Sequence, residues 1–77
     1  MPPRHQSYRE IADDIEARIR AGEYKTEEPL PSAQGFADIY SVSKSTAERA
    51  LMVLRDRRLT EGSPGRGTFV ATTIDRD

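Results

Sequence analysis

The chain has no cysteine and no tryptophan, and its aromatic residues are three tyrosines and two phenylalanines. Without cysteine there is no disulfide framework and no thiolate metal site. The single histidine, His5, has no second ligand or base near it in sequence, so neither a metal centre nor a cofactor is expected. Long apolar runs are missing too. The longest uncharged one covers residues 50–54, against the roughly 20 residues that a membrane-spanning helix needs. MPPRHQ at the start lacks the apolar stretch of a secretory signal, so the cytoplasm is the expected location, with no membrane partner. An enzyme is not expected either. No Cys/His/Asp cluster is present, and the glycine-rich stretch 62–67 lacks the strand before and helix after it that a nucleotide loop requires. A chain of 77 residues holds one domain with a small core, with no room expected for a ligand pocket of ordinary size.

A large net charge is also absent, the formal value being −1. The distribution says more than the total. Residues 1–40 carry Arg4, Arg9, Arg18, Arg20 and Lys25 against eight anions, a net of −3. Residues 41–70 carry Lys44, Arg49, Arg55, Arg57, Arg58 and Arg66 against Glu48, Asp56 and Glu61, a net of +3. Such a split suggests a molecule with one face for an anionic partner.

Three helices are legible. In Ser7-Tyr8-Arg9-Glu10 the serine caps a helix and the glutamate reaches back to the serine amide. That helix covers residues 7–21, with Tyr8, Ile11, Ala12, Ile15 and Ile19 as its buried stripe. Asp13, Glu16, Arg18 and Arg20 form its wet side, and Gly22 ends it. A polar loop over residues 23–29 follows. Ser32 then caps a short helix over residues 32–40, with Phe36, Ala37 and Tyr40 turned inward. Gly35 inside it costs about 1 kcal/mol relative to alanine, so this helix should depend on tertiary packing.

Ser41-Val42 makes a tight link to the third helix, residues 43–57, capped by Ser43. Ala47, Ala50, Leu51, Leu54 and Arg58 follow the helical rhythm and form its inner stripe, while Lys44, Ser45, Glu48, Arg49 and Met52 face outward. Its first turn, Lys44-Ser45-Thr46, sets one cation and two hydroxyls beside amides that already favour anions. Two helices joined by so short a link, the second with a polar first turn, form the helix-turn-helix pattern. The third is then a recognition helix, able to grip phosphates and reach base edges.

Two short β-prone runs, residues 59–61 and 67–71, flank a Gly/Pro turn and read as a hairpin. Arg66 stands between Gly65 and Gly67, and a lone arginine between glycines suits a narrow minor groove. The expected core is Ile11, Ile15, Ile19, Leu30, Phe36, Tyr40, Val42, Ala47, Leu51, Leu54, Leu59 and Phe69, with Leu51→Ala expected to cost about 2–5 kcal/mol.

LPS at 30–32, YSVSKSTAERAL at 40–51 and GRGTFV at 65–70, with the opening YREIADDIEARIRAGEY, together resemble the DNA-binding domain of the GntR family of bacterial transcription regulators. The likeness runs from about residue 7 to 70. It implies an α+β, mainly helical fold: a three-helix winged helix-turn-helix with a two-stranded β-hairpin wing over residues 7–71. Residues 1–6 are then a disordered tail, and residues 72–77 a tail or a linker to an effector domain absent from this chain. The implied function is sequence-specific binding of double-stranded operator DNA, with repression the expected outcome. The recognition helix would enter the major groove and the wing the minor groove. The resemblance also implies a homodimer on a two-fold operator. The isolated domain is expected to be a monomer, and an effector ligand belongs only to a further C-terminal domain. Three positions depart from the family's pattern. The Glu-Arg usual after LPS, whose arginine touches DNA, is Ala33-Gln34. An arginine in the second turn of the recognition helix is replaced by Glu48. The glycine of the turn is Ser41.

The assigned DNA-binding residues are Ser32 and Gln34 for phosphate; Ser43, Lys44, Ser45, Thr46 and Arg49 for the major groove or its flanking phosphates; and Arg66 with Gly67 for the wing. Glu48 has two readings, an i,i+4 partner for Lys44 or a carboxylate facing the groove. The missing arginines and the acidic balance also admit a second class of function, a winged-helix module that binds another protein, because DNA affinity is largely phosphate neutralisation.

Overall fold

The computed structural model describes residues 7–71. The expectations for tails at 1–6 and 72–77, with His5, lie outside the described residues. Three helices precede a hairpin: α1 (Tyr8–Arg20), α2 (Ala33–Tyr40), α3 (Lys44–Asp56), β1 (Thr60–Ser63) and β2 (Gly67–Val70).

Serine starts all three helices. The Ser7 hydroxyl accepts from the Glu10 amide at 3.1 Å, and the Glu10 carboxylate accepts from the Ser7 amide at 3.1 Å. Ser32 accepts from the Gly35 amide at 3.1 Å, and Ser43 from the Thr46 amide at 3.2 Å. Each bond satisfies an amide that the helix itself leaves orphaned.

The three helices also end alike, on a left-handed residue whose successor donates back across the last turn. Glu23 donates to the Arg18 carbonyl, Val42 to that of Ala37 and Leu59 to that of Leu54, each at 3.0 Å. The left-handed positions are Gly22 (φ 83°), Ser41 (φ 56°) and Arg58 (φ 62°). Glycine takes that conformation freely, whereas an L side chain there costs about 1–2 kcal/mol. Arg58 therefore does not continue the buried stripe of α3 as expected. The chain reverses there, Arg58 is exposed, and Leu59 takes the buried place.

Helices α1 and α2 each pack on α3, which is the central element. Ile11, Ala12, Ile15, Ile19, Phe36, Ala47, Ala50, Leu54 and Val70 are all fully buried. Four expected core residues are only half-buried. Tyr40, Val42 and Leu51 pack at the margin of the core, and Phe69 lies outside it. The cause at Phe69 is register. Thr60 pairs with Val70 and Glu61 with Phe69, and alternation along a strand puts the two pairs on opposite faces. Thr60 and Val70 take the core face. Leu51 sits at the junction with the hairpin, beside Met52, Arg55 and Thr60.

The sheet has more on its edge than two strands. Leu30 donates to the Thr68 carbonyl at 2.7 Å, and Pro29 bridges Phe69. Part of the segment read as loop thus tethers the hairpin. Proline has no N–H to give, so Leu30 supplies the bond.

Polar contacts tie α1 to its neighbours. Arg57 donates to Asp13 at 2.7 Å and to Glu16 at 2.9 Å, and Arg20 pairs with Glu16 at 3.0 Å. The Tyr40 hydroxyl donates to Asp14 at 2.5 Å, and Arg18 reaches the same carboxylate at 3.0 Å. The Tyr40 bond first, then that of Arg18, holds the Asp14 carboxyl below its ordinary value. Burial, then the Asp14 bond, pushes the Tyr40 hydroxyl well above its own. No helix among the described residues is long and apolar enough to cross a membrane.

Burial of Leu54 moves the expected sensitivity by one turn. Leu54→Ala should cost about 2–5 kcal/mol in urea unfolding, and Leu51→Ala clearly less. An equal or larger loss for Leu51→Ala would contradict this packing.

Candidate nucleic-acid interface

The inner stripe of α3 is buried, so its other side must face out. Lys44, Ser45, Glu48, Arg49, Met52 and Arg55 are exposed. Ser45, Glu48, Met52 and Arg55 recur at three- and four-residue steps and so share one stripe.

The first turn forms a hydroxyl cluster. The Ser43 Oγ lies 3.1 Å from Ser45 Oγ and 2.9 Å from Thr46 Oγ1, while capping the Thr46 amide. The Ala47 amide donates to the Ser43 carbonyl at 3.1 Å. That leaves the Lys44 and Ser45 amides with no acceptor among the described residues, at the positive end of the helix dipole. Lys44 and Arg49 have no ion-pair partner among the described residues. Nor does Glu48: despite the i,i+4 spacing it forms no salt bridge with Lys44, whose order is the weaker one for such a pair.

The other assigned residues stand on separate elements. Ser32 caps α2 through its oxygen and keeps its hydroxyl proton to donate. Gln34 donates its amide nitrogen to Asp38 at 3.1 Å, so its donor is turned towards a carboxylate of its own helix.

In the wing, the Arg66 amide donates to the Ser63 carbonyl at 3.0 Å across Pro64-Gly65. Gly65 has φ 76°, the pattern of a type II turn. Gly67 has φ 114°, far outside what a side chain tolerates. Arg66 does not project from the tip. Its guanidinium lies 5.4 Å from the Phe69 ring centre, a cation–π contact on the outer face. Beside it Thr26, Glu27, Glu61 and Phe69 line an open recess of about 510 Å³. The expectation of no pocket-sized space was therefore wrong. The hairpin stands away from the 26–27 loop and leaves a recess, at whose edge the Thr26 hydroxyl donates to the Glu27 carboxylate at 2.8 Å.

Charge resolves in the same way. Arg57 is engaged by α1, where the Asp13 bond first, then that of Glu16, holds its charge against the opposing effect of desolvation. Among the described residues Lys44, Arg49, Arg55 and Arg58 carry no ion pair. Two of these, Arg55 and Arg58, were read in sequence only as charge and stripe. They line one cleft of about 470 Å³ where α3 meets β1. The signal for Arg55 was available, since it lies seven residues beyond Glu48 and so on the same face.

Comparison with known proteins fits this geometry. The family model described as bacterial regulatory proteins, gntR family, matches residues 7–70. The HTH-type transcriptional repressor NagR of Bacillus subtilis is 34% identical over 64 residues, covering 83% of this chain and 26% of the relative. The mannosyl-D-glycerate transport/metabolism system repressor MngR of Escherichia coli is 36% identical over 63 residues, covering 82% and 26%. The chain thus spans about a quarter of the length of these relatives. The solved structure of AraR(DBD) in complex with operator ORR3 shares the fold, with a TM-score of 0.75 at 24% identity over 92% of each chain.

Proposed function

The chain belongs to the gntR family of bacterial regulatory proteins, and from that we propose that residues 7–71 are a sequence-specific double-stranded DNA-binding domain acting in transcription regulation, with repression as its mode. It is a regulator and not an enzyme. The observation that carries the reading is the exposed first turn of α3, where two open amides, a hydroxyl cluster and unpaired Lys44 stand together, with unpaired Arg49 in the next turn. Amides and short hydroxyls suit phosphate, and Arg49 reaches further along the same face. Helix α3 enters the major groove and the wing the minor groove, Arg66 leaving Phe69 to do so. The protein works in the cytoplasm, and effector binding belongs to a further domain of the kind that longer relatives have room for.

Lys44→Ala or Arg49→Ala should weaken DNA binding by roughly 1–3 kcal/mol if the residue reads a base, or lower the salt slope by about one unit if it touches phosphate only. Fluorescence anisotropy over a salt series distinguishes these. Unchanged binding of both variants at every salt concentration would refute the assignment, and would favour the protein-binding module instead.

Glu48 acts in this reading by exclusion. An unpaired carboxylate in the major groove is repelled by phosphates, and its one good base partner is the amino group of cytosine. Glu48→Gln should raise binding to random duplex and relax preference at one base position in a selection experiment. An unchanged ratio of specific to random binding would make Glu48 an ordinary surface charge.

The domain pairs on a two-fold operator but is a monomer alone. Stable interfaces bury about 1,200–2,000 Å², and the large apolar residues among the described ones are committed to the core or its margin, apart from Ile39, Met52 and Phe69. Sedimentation without DNA should give a monomer; a dimer at all concentrations would refute this.

A further inference from the structure

The cleft between the C-terminal end of α3 and the root of the wing holds two arginines that neither the hydroxyl cluster nor the wing tip uses. Arg55 and Arg58 line it with Thr60, Glu61, Gly62 and Ala71. The Arg55 guanidinium lies across Gly62, its nitrogens 3.9 Å from where a Cβ would stand. A Cβ there would only reach ordinary van der Waals contact, so the flat cation rests against the strand without needing glycine. The same arginine borders the groove that runs out to Pro64, Gly65 and Gly67 at the tip. It therefore stands between the recognition helix and the wing. Glu61 also lines the cleft, but makes no ion pair with either arginine among the described residues. Arg57, between them in sequence, is engaged by Asp13 and Glu16 on the other side.

Placement decides what such a pair meets. A module with a helix in the major groove and a hairpin in the neighbouring minor groove straddles the sugar–phosphate strand that separates them. That strand must pass between the two elements, where Arg55 lies. Guanidinium groups bind phosphate oxygens bidentately. Arg58 adds a second argument. It occupies a left-handed position, φ 62°, that glycine would take at less cost in stability. A non-glycine held there is a pointer to function.

We infer that Arg55 and Arg58 form a phosphate clamp on the DNA strand running between the major groove read by α3 and the minor groove entered by the wing. This rests on the DNA-binding reading above. The clamp supplies affinity without sequence preference, because phosphates carry no base information.

The test uses the full chain and a short random-sequence duplex, with affinity measured by anisotropy over a salt series. The variants are Arg55→Gln, Arg58→Gly and their double, with Lys44→Ala as reference. Each single change should flatten the slope of log affinity against log salt by about 0.9, and the double by about 1.8. Arg58→Gly should melt at the same or a higher temperature while binding more weakly, a combination that damage to the fold would not produce. If the double variant keeps the wild-type slope while Lys44→Ala weakens binding, the DNA-binding reading stands and the clamp is wrong. A change confined to one arginine overturns the paired clamp. If the wild type does not bind the duplex even at low salt, the DNA-binding reading fails and the clamp with it.

Discussion

The seating of α3 against both α1 and α2 is the constraint from which the rest follows. Two of its buried residues, Ala47 and Ala50, are small and fully enclosed, and Leu54 fills the space beyond them. Small side chains let three short helices share one seam, and the branched residues of α1, with Phe36 of α2, fill it from the far side. With one side of α3 fixed inward, its polar side has only solvent or a ligand to meet. The left-handed turns at Ser41 and Arg58 then fix where the chain enters and leaves that helix, and the second of them sends it into the wing.

The acidic balance of the chain does not oppose a polyanionic partner once the pairing is known. Asp13 and Glu16 meet Arg57, Glu16 also meets Arg20, and Asp14 meets Arg18 and Tyr40. These carboxylates are engaged along α1. Of the cations left without ion pairs among the described residues, Lys44, Arg49, Arg55 and Arg58 lie along α3 and just past its end, Arg66 lies in the wing, and Arg9 and Lys25 lie in α1 and the loop after it. Exposed pairs of this sort add little to stability. Their effect here is to arrange charge, holding acid on one side of α3 and leaving bases on the other.

Much of the fold was legible because serine caps and helical spacing are local signals. Ser7, Ser32 and Ser43 mark helix starts within one residue, and Gly22 marks an end. The other two ends were harder, since Ser41 and Arg58 take a conformation that neither residue type announces. The hairpin was legible as a hairpin, but its register was not. In a strand of four residues nothing in composition says whether Phe69 or Val70 turns inward, and the larger residue was the wrong choice. The edge contact of Pro29 and Leu30 depends on tertiary structure alone. In the candidate interface, the hydroxyl cluster at Ser43–Thr46 followed from residue type and a helix start. The Gln34–Asp38 bond, the folding of Arg66 onto Phe69 and the meeting of Arg55 with Arg58 need three-dimensional placement.

The central claim is that the outward face of α3 and the wing together receive duplex DNA while α1 keeps away from it. Amide chemical-shift mapping during titration with a duplex tests this directly. The largest changes are expected at Lys44, Ser45 and Arg49 and at Gly65–Thr68 of the wing, with Asp13, Glu16 and Arg20 unmoved. Changes centred on the acidic face of α1, or none at all at Lys44 and Ser45, would contradict it.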